Sequence, residues 1–151
     1  MAGVNERLRQ AAELGAEVEL KALLQEPGCD ALSQGKHGAT ALMRAVWSGH
    51  ESCVRLLLPA SDPLAKSEDG RAALMWAADH GHEGCVRLLL PVSDALAKDK
   101  NGTTASAWAM DQGHEGLSRF IGAYGLALRE LASIDATARP GTSGVRAALR
   151  V

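Results

Sequence analysis

The stretch GATALMRAVWSGHESCVRLLLPASDPLAK, residues 38–66, returns at residues 70–98 as GRAALMWAADHGHEGCVRLLLPVSDALAK. The displacement is 32 residues, from position 38 to position 70. A third, decaying copy, GTTASAWAMDQGHEGLSRFIGA, starts at Gly102, another 32 residues on. Self-similarity at such a period marks a repeat architecture in which each unit is one supersecondary element. A fainter copy comes first: LRQAAELGAEVELKALLQ places Leu8, Ala11, Gly15, Leu23 and Leu24 where the next unit has Leu42, Ala45, Gly49, Leu57 and Leu58. The chain thus divides into four units, at about 5–35, 36–67, 68–99 and 100–134, with residues 135–151 left as a tail.

Each unit reads as two helices. Leu42, Ala45 and Val46 stand at i, i+3 and i+4, one helical face, and Gly49 follows as a residue suited to a left-handed C-cap. After Gly49-His50, a second stripe of Cys53, Val54, Leu57 and Leu58 runs up to Pro59, which disfavours helix in the residue before it. Between units, Glu68-Asp69-Gly70 and Lys100-Asn101-Gly102 end in dipeptides of tight turns that need positive φ. The expected fold is all-α: a solenoid of about four helix-turn-helix units joined by short reversed loops. One unit cannot bury its own stripes, so stability comes from stacking, and end units need a polar outer side. Glu6, Arg9, Glu13, Glu17 and Lys21 would form that side at the start, with Leu8, Ala11, Leu20, Leu23 and Leu24 facing the second unit. At the other end Leu117, Phe120, Tyr124, Leu128 and Leu131 predict a last helix that runs on and closes the stack, despite Gly122 and Gly125.

Three consecutive copies keep a Gly, an Ala and a Gly-His in register: Gly38, Ala45, Gly49-His50; Gly70, Ala77, Gly81-His82; Gly102, Ala109, Gly113-His114. In this the sequence resembles the ankyrin family over roughly residues 5–124. It departs where the family's Pro is Ala41, Ala73 and Ala105, and where its motif His is Met43, Met75 and Ala107. Those departures predict looser helix starts and a core held more by apolar packing. The resemblance also implies a concave face, made of loop tips and first helices, as the surface a partner would use.

Composition narrows the function. The chain has 151 residues, 46% of them hydrophobic and only 3% aromatic, which suits small, close-stacked helices. A formal net charge of -2 gives no basic field for a phosphate backbone, so no nucleic-acid partner is expected. The opening residues MAGVNERLRQAAELG lack the unbroken apolar stretch of an export signal. The longest weakly polar run, Phe120 to Leu128, is nine residues, against about 20 for a membrane span. An intracellular, cytoplasmic monomer with free thiols at Cys29, Cys53 and Cys85 is therefore expected.

Candidate chemical groups dissolve into the repeat. His50, His82 and His114 lie one unit apart, and adjacent helices are spaced by about 8–10 Å, too far for ligands of one ion at ~2 Å. The same spacing denies Cys53 and Cys85 a disulfide, so they read as buried core. Asp62, Asp69, Asp79 and Asp94 fall in turns and helix ends where short polar side chains are common. The GHEGC stretch follows no strand and is no phosphate loop. Trp76 and Trp108 share one repeat position, held by Arg44 in the second unit, and are expected to stack as core between first helices. Trp47 stands where other copies carry Asp79 and Asp111, so it reads either as an interface anchor or as fold-edge packing.

The expected function is a non-catalytic interaction module that presents varied side chains from a rigid scaffold to a partner protein, with no cofactor and no metal. The candidate contacts are positions where units differ while their surroundings repeat: Lys36, His37, Trp47, Ser48, Glu68, Asp69, Arg71, Asp79, His80, Lys100, Asn101, Thr103, Asp111 and Gln112. A small inhibitor of a cognate enzyme would use the same face but favour net acidic loops, which the near balance of charge does not supply. An enzyme would need a nucleophile and base within hydrogen-bond reach, and the sequence offers no such pair.

Overall fold

A computed structural model describes residues 3–137. Among the described residues there are eight α-helices: α1 (Val4–Leu14), α2 (Glu17–Leu24), α3 (Ala41–Ser48), α4 (Glu51–Leu57), α5 (Ala73–His80), α6 (Glu83–Leu89), α7 (Ala105–Asp111) and α8 (Glu115–Thr137). The first helices form one layer, with α1 on α3, α3 on α5 and α5 on α7. Behind them α2 packs on α4 and α4 on α6, while α8 covers α7. Leu8, Leu20, Leu42, Val46, Leu57, Leu74, Met75, Leu89 and Ile121 are all fully buried where the two layers meet. These are the apolar stripes that no single unit could cover.

The spacing of the units is set at the end of each first helix. Gly49 takes φ +78, its N–H bonds the Val46 carbonyl at 3.1 Å, and the His50 N–H reaches back to Ala45 at 3.0 Å. This closes the last carbonyls of α3 with a left-handed residue. The same glycine has a second duty. A Cβ built on it would lie 2.7 Å from Cε1 of His82, the imidazole of the next unit. His50 stands likewise against Gly15, and His114 against Gly81. The His82 Nε2–H donates to the Trp47 carbonyl at 3.0 Å, and His50 Nε2–H to the Glu13 carbonyl at 3.1 Å. The repeated histidines are thus spacers that lock one unit's second helix to the preceding unit's first.

Several expectations need correction. Helix starts are not uniformly loose: Thr40 Oγ1 accepts from the Met43 N–H and Thr104 Oγ1 from the Ala107 N–H, each at 3.2 Å, while Ala72 offers α5 no side-chain cap. Arg9 is not on the wet side of the first unit. It is buried, bound to Ser33 and to Glu6 at 2.7 Å, in room left by Gly35, whose missing Cβ would meet the guanidinium. The Arg9 hydrogen bond is also the chief reason the Glu6 carboxyl is held below its ordinary range. The last helix packs through Leu117, Ile121, Gly125 and the half-buried Tyr124, whereas Phe120, Leu128 and Leu131 stay exposed. Gly125 is the reason: a Cβ there would lie 2.9 Å from Leu96 Cδ2, so its absence lets α8 settle on Ala95 and Leu96. The helix continues to Thr137, past the start of the expected tail, and the remainder of that tail lies outside the described residues.

The glycine contact can be separated from the glycine conformation. Gly113 has φ +82 with nothing within 4 Å of a Cβ, whereas Gly49 meets His82. We expect Gly113→Ala to cost about 1–2 kcal/mol for the left-handed backbone alone. Gly49→Ala should cost about 2–4 kcal/mol because overpacking is added. Urea unfolding of the two variants measures the difference, and equal losses would remove the spacer role of His82.

Candidate functional site

The loops that precede the first helices are tied into a ladder. Ser67 N–H donates to the Arg71 carbonyl and Asp99 N–H to the Thr103 carbonyl, both at 3.0 Å, so each loop closes on itself. Each loop then bonds the next: Glu68 N–H to the His37 carbonyl at 3.0 Å, and Lys100 N–H to the Asp69 carbonyl at 3.1 Å. Gly38 makes the approach possible, since a Cβ there would lie 2.8 Å from the Glu68 nitrogen. Side chains at the loop tips are therefore held in a fixed row along one edge.

Beside that row runs a column of planar groups. Trp47 stacks on Trp76 with ring centroids 4.8 Å apart and planes at 21°. On the far side of Trp76 lies the Arg71 guanidinium, its carbon 3.7 Å from that ring and 4.0 Å from the ring of Trp108. Arg71 Nη2 also donates to Asp79 Oδ2 at 2.9 Å. The column ends at Asp99, whose Oδ2 accepts from Trp108 Nε1 at 2.9 Å. Contrary to the expectation from sequence, the two repeat-equivalent indoles therefore do not stack on each other. Equivalent positions on successive first helices are held about 8–10 Å apart, so two indoles at the same repeat position leave an interval that a planar cation fills.

Burial works against the ionised form of Asp99, yet its carboxyl is held below its ordinary value. The Thr103 amide, the Trp108 indole, the Asn101 amide and the Arg71 charge together outweigh the burial. Asp99 Oδ1 receives the Asn101 and Thr103 amides, each at 2.9 Å, so one carboxylate fixes both the loop and the column.

At the Trp47 end the surface opens into a groove of about 560 Å³. Met43, Ala39, Trp47 and Trp76 supply its apolar surface, and Glu13, Lys36, His37, Arg44, Ser67 and Asp69 the rest. Of the contacts expected from sequence, Lys36, His37, Trp47 and Asp69 come together here. Glu68 stands beside His37, with the ion-pairing atoms 3.9 Å apart. Lys100, Asn101, Asp111 and Gln112 are exposed farther along, while Ser48, His80 and Thr103 are half-buried. His37 itself holds a left-handed backbone, φ 60, which non-glycine residues rarely adopt.

Two expected contact residues change role. Arg71 is only 8% exposed and pairs with the half-buried Asp79, so both help to build the column. Conversely, Glu13, Met43, Arg44 and Trp76 line the groove and were not among the expected contacts. The signal for two of them lay in the repeat: one position reads Arg44, Trp76 and Trp108 while its neighbours are kept.

Other chemical groups stay apart. Cys53 and Cys85 are fully buried, and burial pushes the Cys85 thiol up to about 11. Among the described residues no three of His, Cys, Asp and Glu gather where they could hold a metal ion. No described helix is long and apolar enough to cross a membrane.

The column makes two checkable demands. Arg71→Leu leaves the Asp79 carboxylate without its partner and should cost about 3 kcal/mol in chemical unfolding. A loss below about 1 kcal/mol would make the guanidinium mere filler. For Asp99 the folded-state carboxyl titrates below the unfolded one, so its stabilisation is complete above about pH 4 and is lost as pH falls through the folded value. Asp99→Asn should therefore be less stable than wild type at neutral pH, with the gap narrowing in acid. A gap unchanged by pH would contradict the charge-based role.

The family model described as ankyrin repeats (3 copies) matches the chain over residues 7–67 and 59–127. No curated protein matches the chain. Ankyrin repeats in general serve as protein–protein interaction modules. With the paired helices, the Gly-His spacers and the loop ladder in place, this match covers most of the sequence, and the chain belongs to the ankyrin repeat family.

Proposed function

We propose that the chain is a non-catalytic, intracellular binding module that holds one partner protein on the face made by the loop ladder and the first helices. The observation that carries this reading is Trp47: an indole 53% exposed, fixed against Trp76 at the mouth of a groove. Water contact of that much aromatic surface gains nothing for the fold, and a rigid Trp loses little entropy when a partner covers it. The proposed contacts are Lys36, His37, Trp47, Ser48, Glu68, Asp69, His80, Lys100, Asn101, Thr103, Asp111 and Gln112, joined by Arg44 and Glu13 of the groove.

The opposite face supports the choice by contrast. Along α4 and α6, Arg55 pairs with Glu51 and Arg87 with Glu83 at helical i, i+4 spacing. These are exposed, self-compensated pairs of the kind that keeps a helical back solvated.

The test is affinity capture from the source cell's lysate with three baits shown to be folded: wild type, Trp47→Ala, and the back-face variant Arg55→Glu with Arg87→Glu. Binding should weaken about tenfold or more for Trp47→Ala, as for a central anchor, and stay unchanged for the back-face variant. Loss only with the back-face variant would reverse the assignment. A tight one-to-one complex that silences a captured enzyme would favour an inhibitor role for the same face.

A further inference from the structure

We propose that the groove takes a guanidinium: an arginine side chain of the partner protein, laid flat on the open face of Trp47. This rests on the binding reading above and specifies the chemistry of its anchor. The protein itself contains the pattern in finished form. Arg71 lies between the rings of Trp76 and Trp108 with a carboxylate, Asp79, at 2.9 Å. One layer outward the arrangement is half built: the Trp47 indole and the Asp69 carboxylate line one groove, and among the described residues no cation is stacked on the Trp47 ring.

Geometry leaves the outer face of Trp47 uncovered. His80 approaches Trp47 at 5.3 Å, but its ring is also only 6.4 Å from Trp76. Were Trp47 sandwiched between them, His80 would stand far beyond 6.4 Å from Trp76, so it flanks the pair at their edges. The open face is thus turned to the groove and to solvent, in line with its exposure.

The charges in the groove favour a cation. Arg44 is bracketed by Glu6 at 3.5 Å and Glu13 at 3.3 Å, and His37 faces Glu68. Among the described residues Asp69 carries no ion pair, so a carboxylate with free acceptor capacity lines the same groove as Trp47. Lys36 also lacks an ion pair, but its ammonium sits on a long exposed stem that can swing clear. A guanidinium is preferred to an ammonium because it is planar, weakly hydrated, stacks on indole and can still bond a carboxylate at its edge.

The experiment is selection of a random displayed peptide library on the full chain, followed by binding measurements with synthetic forms of the selected peptides. We expect peptides that share an arginine. Replacing that arginine by citrulline, a neutral near-isostere, should weaken binding about tenfold, and Lys in its place should also bind more weakly. On the protein side, Trp47→Ala and Asp69→Asn should each weaken binding, and affinity should fall as salt is raised. The citrulline exchange leaves the protein untouched, so it stands even if a variant folds poorly. If no selected peptide needs an arginine, or citrulline binds equally well, the proposal is overturned. Peptides that anchor through an apolar side chain yet still need Trp47 would overturn the guanidinium and leave the binding face standing; peptides indifferent to Trp47 would overturn both.

Discussion

An imidazole resting where a glycine has no Cβ sets the distance between consecutive units of this protein. His50, His82 and His114 each stand against the C-cap glycine of the preceding unit. Two of them also donate a hydrogen bond to a carbonyl at the end of that unit's first helix. The glycine serves twice, first by taking a left-handed backbone that ends the helix, then by leaving the space that the ring fills. With that separation fixed, the apolar stripes of neighbouring helices meet at full burial, and the loops come close enough for Glu68 to bond His37 and Lys100 to bond Asp69. A solenoid is stabilised by nearest-neighbour contacts, so a spacer repeated at each junction governs the whole array.

The front of the array is then organised by a different device. Where equivalent positions on successive first helices hold the Trp76 and Trp108 rings apart, Arg71 bridges them, and Asp79 and Asp99 hold the ends of the network. Trp47 lies one turn farther along its helix and closes directly on Trp76. A rigid column with an exposed terminal indole costs little to present to a partner, because its orientation is already settled by the groups beneath it. Scaffold and recognition surface are therefore built from separate residues of the same short helices.

The repeat made the fold readable in advance. Identical spacing of Gly, Ala and Gly-His fixed the helix pairs, since each of those residues answers to a local demand for a cap, a close helix contact or a turn. What escaped was whatever depends on contact between units. Arg71 reads as a variable loop cation from sequence, and only the approach of two indoles from successive units shows why it is buried. Arg9 escaped for the same reason, its pocket being formed by Gly35 of the following loop. Gly125 reads as a flaw in a helix until Leu96 is seen against it. Trp47 could be singled out because it differed from its copies, but its partner in the stack, Trp76, sits at a non-equivalent repeat position, and no periodicity pairs the two.

Hydrogen–deuterium exchange of the full chain, alone and with its captured partner, tests most directly whether recognition lies on the front of the array. Added protection should fall in the loops around residues 36–40, 67–72 and 99–104 and in α3 and α5, with α4 and α6 unchanged by the partner. Protection that instead appears along α4 and α6, with the loop ladder and the turn bearing Trp47 unaltered, would contradict a front-face interface.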